Sequence, residues 1–211
     1  MKNYLFDFDG TLVDSMPTYV SVMLRILDEN NISYKNDIVK IITPLGYKGT
    51  AEYYVKMGLD MPVSDIVAKM NEYARHAYEN NIGAKENVIE TLKKLKESGC
   101  GLHVLTASPH TMLDPCLKRL GIFELFDNVW SCDDFNTTKA NPEIYKMAAE
   151  RIGAPVGDII FLDDNYNADK TAKQAGMIVY GVYDDSSAEF EEEMRELTDR
   201  YIKNFSELLE K

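Results

Sequence analysis

Two aspartates two positions apart, Asp7 and Asp9 in "YLFDFDGTLVDS", lie in and just after an apolar run near the start of the chain. Burial and mutual repulsion both disfavour two ionised carboxylates at such a place, so the pair asks for a chemical reason. Three further stretches supply partners: Thr106 closes "HVLT", Lys139 stands in "TTKANPEIY", and Asp163 and Asp164 follow "IIFL". A carboxylate can attack phosphorus directly, splitting one difficult displacement into two easier ones. Several acids coexist around a divalent cation, and a donor set made only of oxygen suits Mg2+, which shares its shell with water and substrate phosphate. A lysine and a hydroxyl then offset charge on the transferring group. The residue types and their order therefore point to phosphoryl transfer through an aspartyl-phosphate.

These side chains are far apart in sequence, and only a fold with strand ends at one edge can gather them. Short apolar, β-branched or aromatic runs predict strands at Tyr4 to Phe8, Leu102 to Thr106, Asn128 to Ser131, Ile159 to Leu162 and Ile178 to Val182. Amphipathic helical patterns lie between them after about residue 84. "KENVIETLKKLKES" carries Val88, Ile89, Leu92 and Leu95 on one face, and "PEIYKMAAERIG" stops at a glycine, Gly153. Continuous apolar strands alternating with helices predict an α/β core with a parallel sheet covered on both sides. Ligands of such sheets sit beyond the carboxyl ends of the strands, where the polar residues above fall.

Residues 15–83 break the alternation. "MPTYVSVMLRILDENN", "DIVKIIT", "GTAEYYVKMG" and "VSDIVAKMNEYARHAYENN" read as helices only. A helical block of about 70 residues between the first two strands has the size of a small inserted domain. The expected division is a core of residues 1–14 and 84–211 and an insertion of residues 15–83, with hinges at Asp14 to Pro17 and around Gly83.

Composition narrows the partners. The 211 residues are 45% hydrophobic and 27% charged, with a net charge of -12. That balance excludes a broad basic footprint for nucleic acid or an anionic membrane, but not a small anionic substrate that needs one or two local cations. Cys100, Cys116 and Cys132 are far apart and form no CxxC pair, so reduced, mostly buried thiols are expected. No basic leader precedes the first strand, and no stretch reaches the about 18 apolar residues of a membrane span, so a cytoplasmic location is expected. The acidic "EFEEEMRE" reads as a solvated helix face.

With these motifs in place, the chain resembles the haloacid dehalogenase superfamily over nearly its whole length. The family's first motif, DxDGT followed by LxDS, stands here as Asp7 to Ser15, and its second, a strand ending in Thr or Ser, as Thr106. The third, a lysine usually written KPxPE, matches Lys139 to Glu143 with Ala140 in place of the first proline. The fourth, an acidic pair after a strand, is Asp163 and Asp164, with Asp169 five residues after Asp164. The resemblance implies a Rossmann-like three-layer core with an all-helical C1 cap, of the phosphoglycolate-phosphatase and β-phosphoglucomutase kind. It also implies Mg2+ as cofactor and a small phosphorylated metabolite as substrate, and it leaves the oligomeric state open.

By the same resemblance Asp7 is the nucleophile and Asp9 the acid that protonates the leaving oxygen and then activates water. Gly10, Thr11, Thr106, Ala107 and Lys139 would bind phosphate, and Asp7, Asp9, Asp163 and Asp164 would hold the metal, Asp9 through its backbone carbonyl. Gly10 lets the backbone turn sharply, and Thr11 can tie that turn. In "TASPH", Ser108 is expected to cap the next helix and Pro109 to begin it. His110 reads as an exposed helix histidine, with a substrate contact as the alternative, and His76 and His103 take the same exposed reading. In the insertion, Gly46, Tyr47, Lys48 and Gly49 read as a glycine-punctuated loop that could hold Tyr47 and Lys48 over the substrate, or simply pack Tyr47 and solvate Lys48. A mutase returning the phosphoryl group to a sugar and a non-catalytic phospho-ligand sensor are the competing functions.

Overall fold

The computed structural model describes residues 1–35 and 37–210. Six parallel strands form one sheet in the order β3-β2-β1-β4-β5-β6: β1 Asn3–Phe6, β2 Gly101–Thr106, β3 Asn128–Ser131, β4 Ile159–Asp163, β5 Ile178–Val182 and β6 Arg200–Ile202. Each strand is too short to bury itself and alternates its side chains between faces, so both faces need cover. Leu5, Leu105, Phe161 and Val179 share one buried cluster with Ile144, Tyr145, Ala148, Ala168 and Ala172 from helices. Phe6 packs with Phe126 and Phe205, at ring separations of 6.3 and 6.1 Å. Full burial of each such side chain stabilises the fold by about 1.5–3 kcal/mol.

The chain divides into two compact units: Met1–Asp14 with Gly83–Lys211, and Ser15–Ile82. The second consists of α1 Met16–Glu29, α2 Ile38–Ile42, α3 Gly46–Lys56 and α4 Val63–Asn80, with a tight 3-10 turn over Thr43–Leu45. Val22, Met23, Ile26 and Leu27 of α1 and Ile66, Met70 and Ala74 of α4 recur at the three- and four-residue spacing of one helix face and are buried. Tyr54 of α3 is also buried, and its hydroxyl donates to the Met23 carbonyl at 3.0 Å. In the first unit α5 Val88–Glu97, α6 His110–Arg119, α7 Glu143–Ile152, α8 Tyr166–Ala175 and α9 Glu191–Leu197 follow the strands. Gly153 ends α7 in the left-handed conformation. Among the described residues no helix is long and apolar enough to cross a membrane. Among the described residues Cys100, Cys116 and Cys132 form no disulfide.

Four details differ from the sequence reading. β1 ends at Phe6, not Phe8, because the Phe8 carbonyl accepts from Leu12 and Val13 and turns the chain out of the ladder. β6, only three residues long at the sheet edge, is too short for a periodic signal. Gly46–Gly49 is no loop: the Thr43–Leu45 turn runs straight into α3, Gly46 reversing the backbone at φ 66. His103 lies on β2 and is buried, whereas His76 is an exposed residue of α4.

Candidate active site

β1 and β4 are neighbours at the point where the strand order reverses, the position at which parallel α/β sheets bind ligands. Phe6 is level with Leu162 on one side and Val104 on the other. Asp7 therefore leaves β1 beside the end of β4, and its amide donates to the Leu162 carbonyl at 2.8 Å. One oxygen each of Asp7, Asp163 and Asp164 lies within 4.8 Å of the others, and all three residues are buried.

Lys139 enters this acidic cluster from the segment before α7. Its Nζ donates to Oδ1 of Asp7 at 2.6 Å and to Oδ2 of Asp163 at 2.7 Å. The other oxygen of Asp163 accepts the Asn165 amide at 2.8 Å. Asn165 is itself fixed as the cap of α8, its side chain accepting from the amides of Asn167 and Ala168. Burial works against the lysine's charge, but Asp163 and Asp7 outweigh it and hold its pKa well above the ordinary lysine value.

Gly10 follows Asp9 with φ 75, and a Cβ built there would stand 2.5 Å from Oδ2 of Asp164. Both the conformation and the contact require glycine. The hydroxyl of Thr11 donates to Oδ1 of Asp164 at 3.0 Å. The carboxylate of Asp9 is engaged elsewhere: Oδ2 accepts the hydroxyl of Ser108. Ser108 is consequently not the cap of α6, which begins one residue later than expected, at His110, after an extended Pro109. The serine before a proline carries the usual cap signature, which is why the sequence hides its contact with Asp9. Thr106 ends β2, buried, and its hydroxyl accepts the Ser108 amide at 3.1 Å, while Ala107 is exposed. His110 is not a freely solvated ring: its two nitrogens pair with Asp114 and Asp134, each at 2.8 Å.

The electrostatics of the cluster are lopsided. Asp7, Asp163, Asp164 and Asp169 are at most 7% exposed, against the one ammonium of Lys139 in their midst. Burial, with Asp163, pushes Asp7 well above the usual carboxylate range; Lys139 opposes this and Asp164 and Asp9 add to it. Burial, Asp163 and Asp184 push Asp164 up to about 7. Asp169 on α8 is raised by burial and by Asp163 and Asp164, and neither of its oxygens has a hydrogen-bond partner. Orphaned carboxylate oxygens in a buried site are costly, and an oxygen-liganded divalent cation relieves both the charge and the missing bonds. The donor set thus fits such a cation.

Tyr47 and Lys48 lie outside the α/β unit that carries these residues. Both belong to the helical unit, where Tyr47 stacks on Tyr19 at 5.2 Å and Lys48 is exposed.

The profile of the haloacid dehalogenase-like hydrolases matches residues 4–182. The chain belongs to this family. Among other members, Pyrophosphatase PpaX of Bacillus velezensis is 30% identical over 179 residues, covering 84% of this chain and 81% of its own. The Phosphorylated carbohydrates phosphatase of Thermotoga maritima is 23% identical over 184 residues, covering 86% and 85%. A crystal structure of a candidate β-phosphoglucomutase from Thermotoga maritima superposes with a TM-score of 0.85 at 21% identity, covering 99% of this chain and 97% of its own. The parallel six-stranded sheet is therefore the fold of haloacid dehalogenase-like proteins, and the chain is an enzyme of this hydrolase class whose named relatives are phosphatases.

Proposed function

We propose that this haloacid dehalogenase-like enzyme is a Mg2+-dependent phosphatase that hydrolyses a small phosphomonoester through a phosphoenzyme on Asp7. The observation that carries the reading is the division of labour among the acids: Asp7 lies in a buried carboxylate cluster with Lys139, while Asp9 is held apart by Ser108. The substrate classes in the names of the relatives, pyrophosphate and phosphorylated carbohydrate, support a small phosphorylated compound.

Asp7 attacks phosphorus with a carboxylate oxygen, the P–O bond to the leaving group breaks, and Asp9 delivers its proton to the departing oxygen. Asp9 then takes a proton from water as that water attacks the phosphorus of the acyl phosphate, which releases inorganic phosphate and regenerates the Asp7 carboxylate. Lys139, Thr106 and the backbone amide at Ala107 hold the phosphoryl oxygens, and Gly10 and Thr11 shape the turn beneath them. Asp7, Asp164 and the Asp9 carbonyl would hold Mg2+ directly; Asp163 orients Lys139, and Asp169 adds charge from behind. Bound there, Mg2+ supplies charge neutralisation that lets a carboxylate approach an anionic phosphate. Residues 15–82 serve as a lid that excludes water and selects substrate, with Tyr47 and Lys48 as substrate contacts.

The test is release of inorganic phosphate from an aryl phosphate and from a panel of phosphorylated metabolites, with and without Mg2+. Turnover that needs Mg2+ and vanishes in Asp7→Asn is expected. Conversion of a hexose 1-phosphate to the 6-phosphate without phosphate release would replace hydrolysis by mutase chemistry, and absence of any turnover would leave a phospho-ligand sensor.

A further inference from the structure

Lys85 lies outside every motif above, on the segment where the chain re-enters the core after the helical insertion. That segment is pinned by its backbone to the end of the first motif. Asp14 donates to the Gly83 carbonyl at 3.0 Å, Val13 and Ala84 form an antiparallel bridge, and the Lys85 amide donates to Leu12 at 3.0 Å. The side chain then turns inward and is only 19% exposed. An ammonium has three donors and no acceptor, and here all three are used. Nζ donates to the carbonyl of Gly10 at 2.6 Å, to the carbonyl of Tyr183 at 2.5 Å and to Oδ2 of Asp184 at 3.0 Å. Asp184 is buried and rigid in turn, its Oδ1 accepting from the amide and hydroxyl of Ser186 at 2.9 and 2.6 Å.

We infer that Lys85 is a positioning residue for phosphoryl transfer, which fixes the Gly10–Thr11 peptide by holding the Gly10 carbonyl against the loop after β5. The inference rests on the phosphatase reading above. In a trans peptide the carbonyl of Gly10 and the N–H of Thr11 point in opposite directions within one rigid plane. Anchoring the carbonyl with a charged donor therefore sets the direction of the Thr11 amide and the root of the Thr11 side chain. That side chain donates to Asp164, and Gly10 itself packs against the same carboxylate. Glycine at φ 75 has unusual freedom, so without the anchor this peptide would sample other orientations and Asp164 would lose its fixed partner. Lys85 also neutralises Asp184, so the clamp adds no net charge beside an already acidic centre.

The test compares Lys85→Met, Lys85→Arg and a control, Lys96→Met, which removes an exposed ion pair to Asp127 of 2.5 Å and touches none of these loops. Thermal-shift titration with Mg2+ alone gives the metal midpoint, and aryl phosphate turnover gives kcat and KM. Lys85→Met should raise the Mg2+ midpoint at least fivefold and lower kcat at least tenfold, with KM changed less than threefold. Lys85→Arg should recover most of both, and Lys96→Met should change neither. Should Lys85→Met fail to fold, Lys85→Gln is held to the same criteria. A folded Lys85→Met or Lys85→Gln with midpoint and kcat within twofold of wild type overturns the inference, as does an equal shift in Lys96→Met. Mg2+ binding by a wild type that turns over nothing would sink the phosphatase reading alone, because the midpoint shift is read from the metal.

Discussion

The hydroxyl of Ser108 donates to Oδ2 of Asp9, joining the loop after β2 to the loop after β1 across 99 residues of sequence. The contact gives the proposed acid and base a fixed orientation, separate from the Asp7 cluster. Ser108→Ala should lower kcat by roughly tenfold with little change in KM, because an unheld carboxylate spends less time aimed at the leaving oxygen. Asp9→Asn removes the proton itself and should cost about 10²–10⁴ in kcat. Steady-state kinetics with an aryl phosphate separates the two; equal losses would mean that Ser108 does more than orient.

Lys139 is the ammonium between Asp7 and Asp163, so its removal leaves two buried carboxylates uncompensated. Breaking such a buried pair costs about 3–5 kcal/mol. Lys139→Met should therefore lose activity and, without metal, lower Tm by roughly 10 °C for a chain of this size. Saturating Mg2+ should recover part of that loss. Calorimetry with and without Mg2+ checks it, and an unchanged Tm would show that the acids are not held by this lysine.

In the proposed mechanism Asp164 repels its neighbouring carboxylates in the absence of metal and would be a ligand in its presence. Asp164→Asn keeps an acceptor for the Thr11 hydroxyl but removes one buried charge. Its metal-free Tm should rise by a few degrees. In wild type, Mg2+ at 100 times its Kd stabilises by about 2.7 kcal/mol, roughly 5–10 °C here. In the variant that shift should nearly vanish. A full Mg2+ response in Asp164→Asn would remove Asp164 from the metal site.

Much of this arrangement was legible in the sequence, for reasons that differ by residue. Asp7, Lys139 and Asp163 could be placed because each ends a strand or precedes a helix, and the apolar runs that mark those elements are strong signals. The Thr11 to Asp164 bond was not legible, because a threonine after Asp-Gly is expected to tie its own turn, whereas its hydroxyl reaches across to the end of β4. Ser108 misled because cap chemistry and catalytic-loop chemistry use the same hydroxyl before the same proline. Lys85 was silent, because a lysine after a loop looks solvated unless the three acceptors converging on it are known. The Gly46 to Gly49 stretch misled in the opposite sense: two glycines suggest a loop, whereas the turn at Pro44 had already redirected the chain.

His103 supplies a pH-dependent contribution to stability that is independent of the catalytic acids. The ring sits on β2, stacked against Trp130 with centroids 6.1 Å apart, and Nδ1 pairs with the Asn128 amide at 2.9 Å. Nε2 is buried without a partner, and a second proton would have to enter at Nδ1, where the Asn128 NH2 already donates. Burial lowers its pKa to about 4; Asp127 pulls it up and Lys96, paired with Asp127, pushes it down. The unfolded chain protonates near 6.5, so it binds the proton more readily than the folded protein. The contribution is therefore complete above pH 6.5 and is lost as pH falls through 4, about 3 kcal/mol in all. His103→Leu, which cannot titrate, should give a flatter Tm profile between pH 6.5 and 4 than wild type. Thermal unfolding at four pH values measures the slope, and parallel profiles for the two proteins would show that His103 is protonated as easily folded as unfolded.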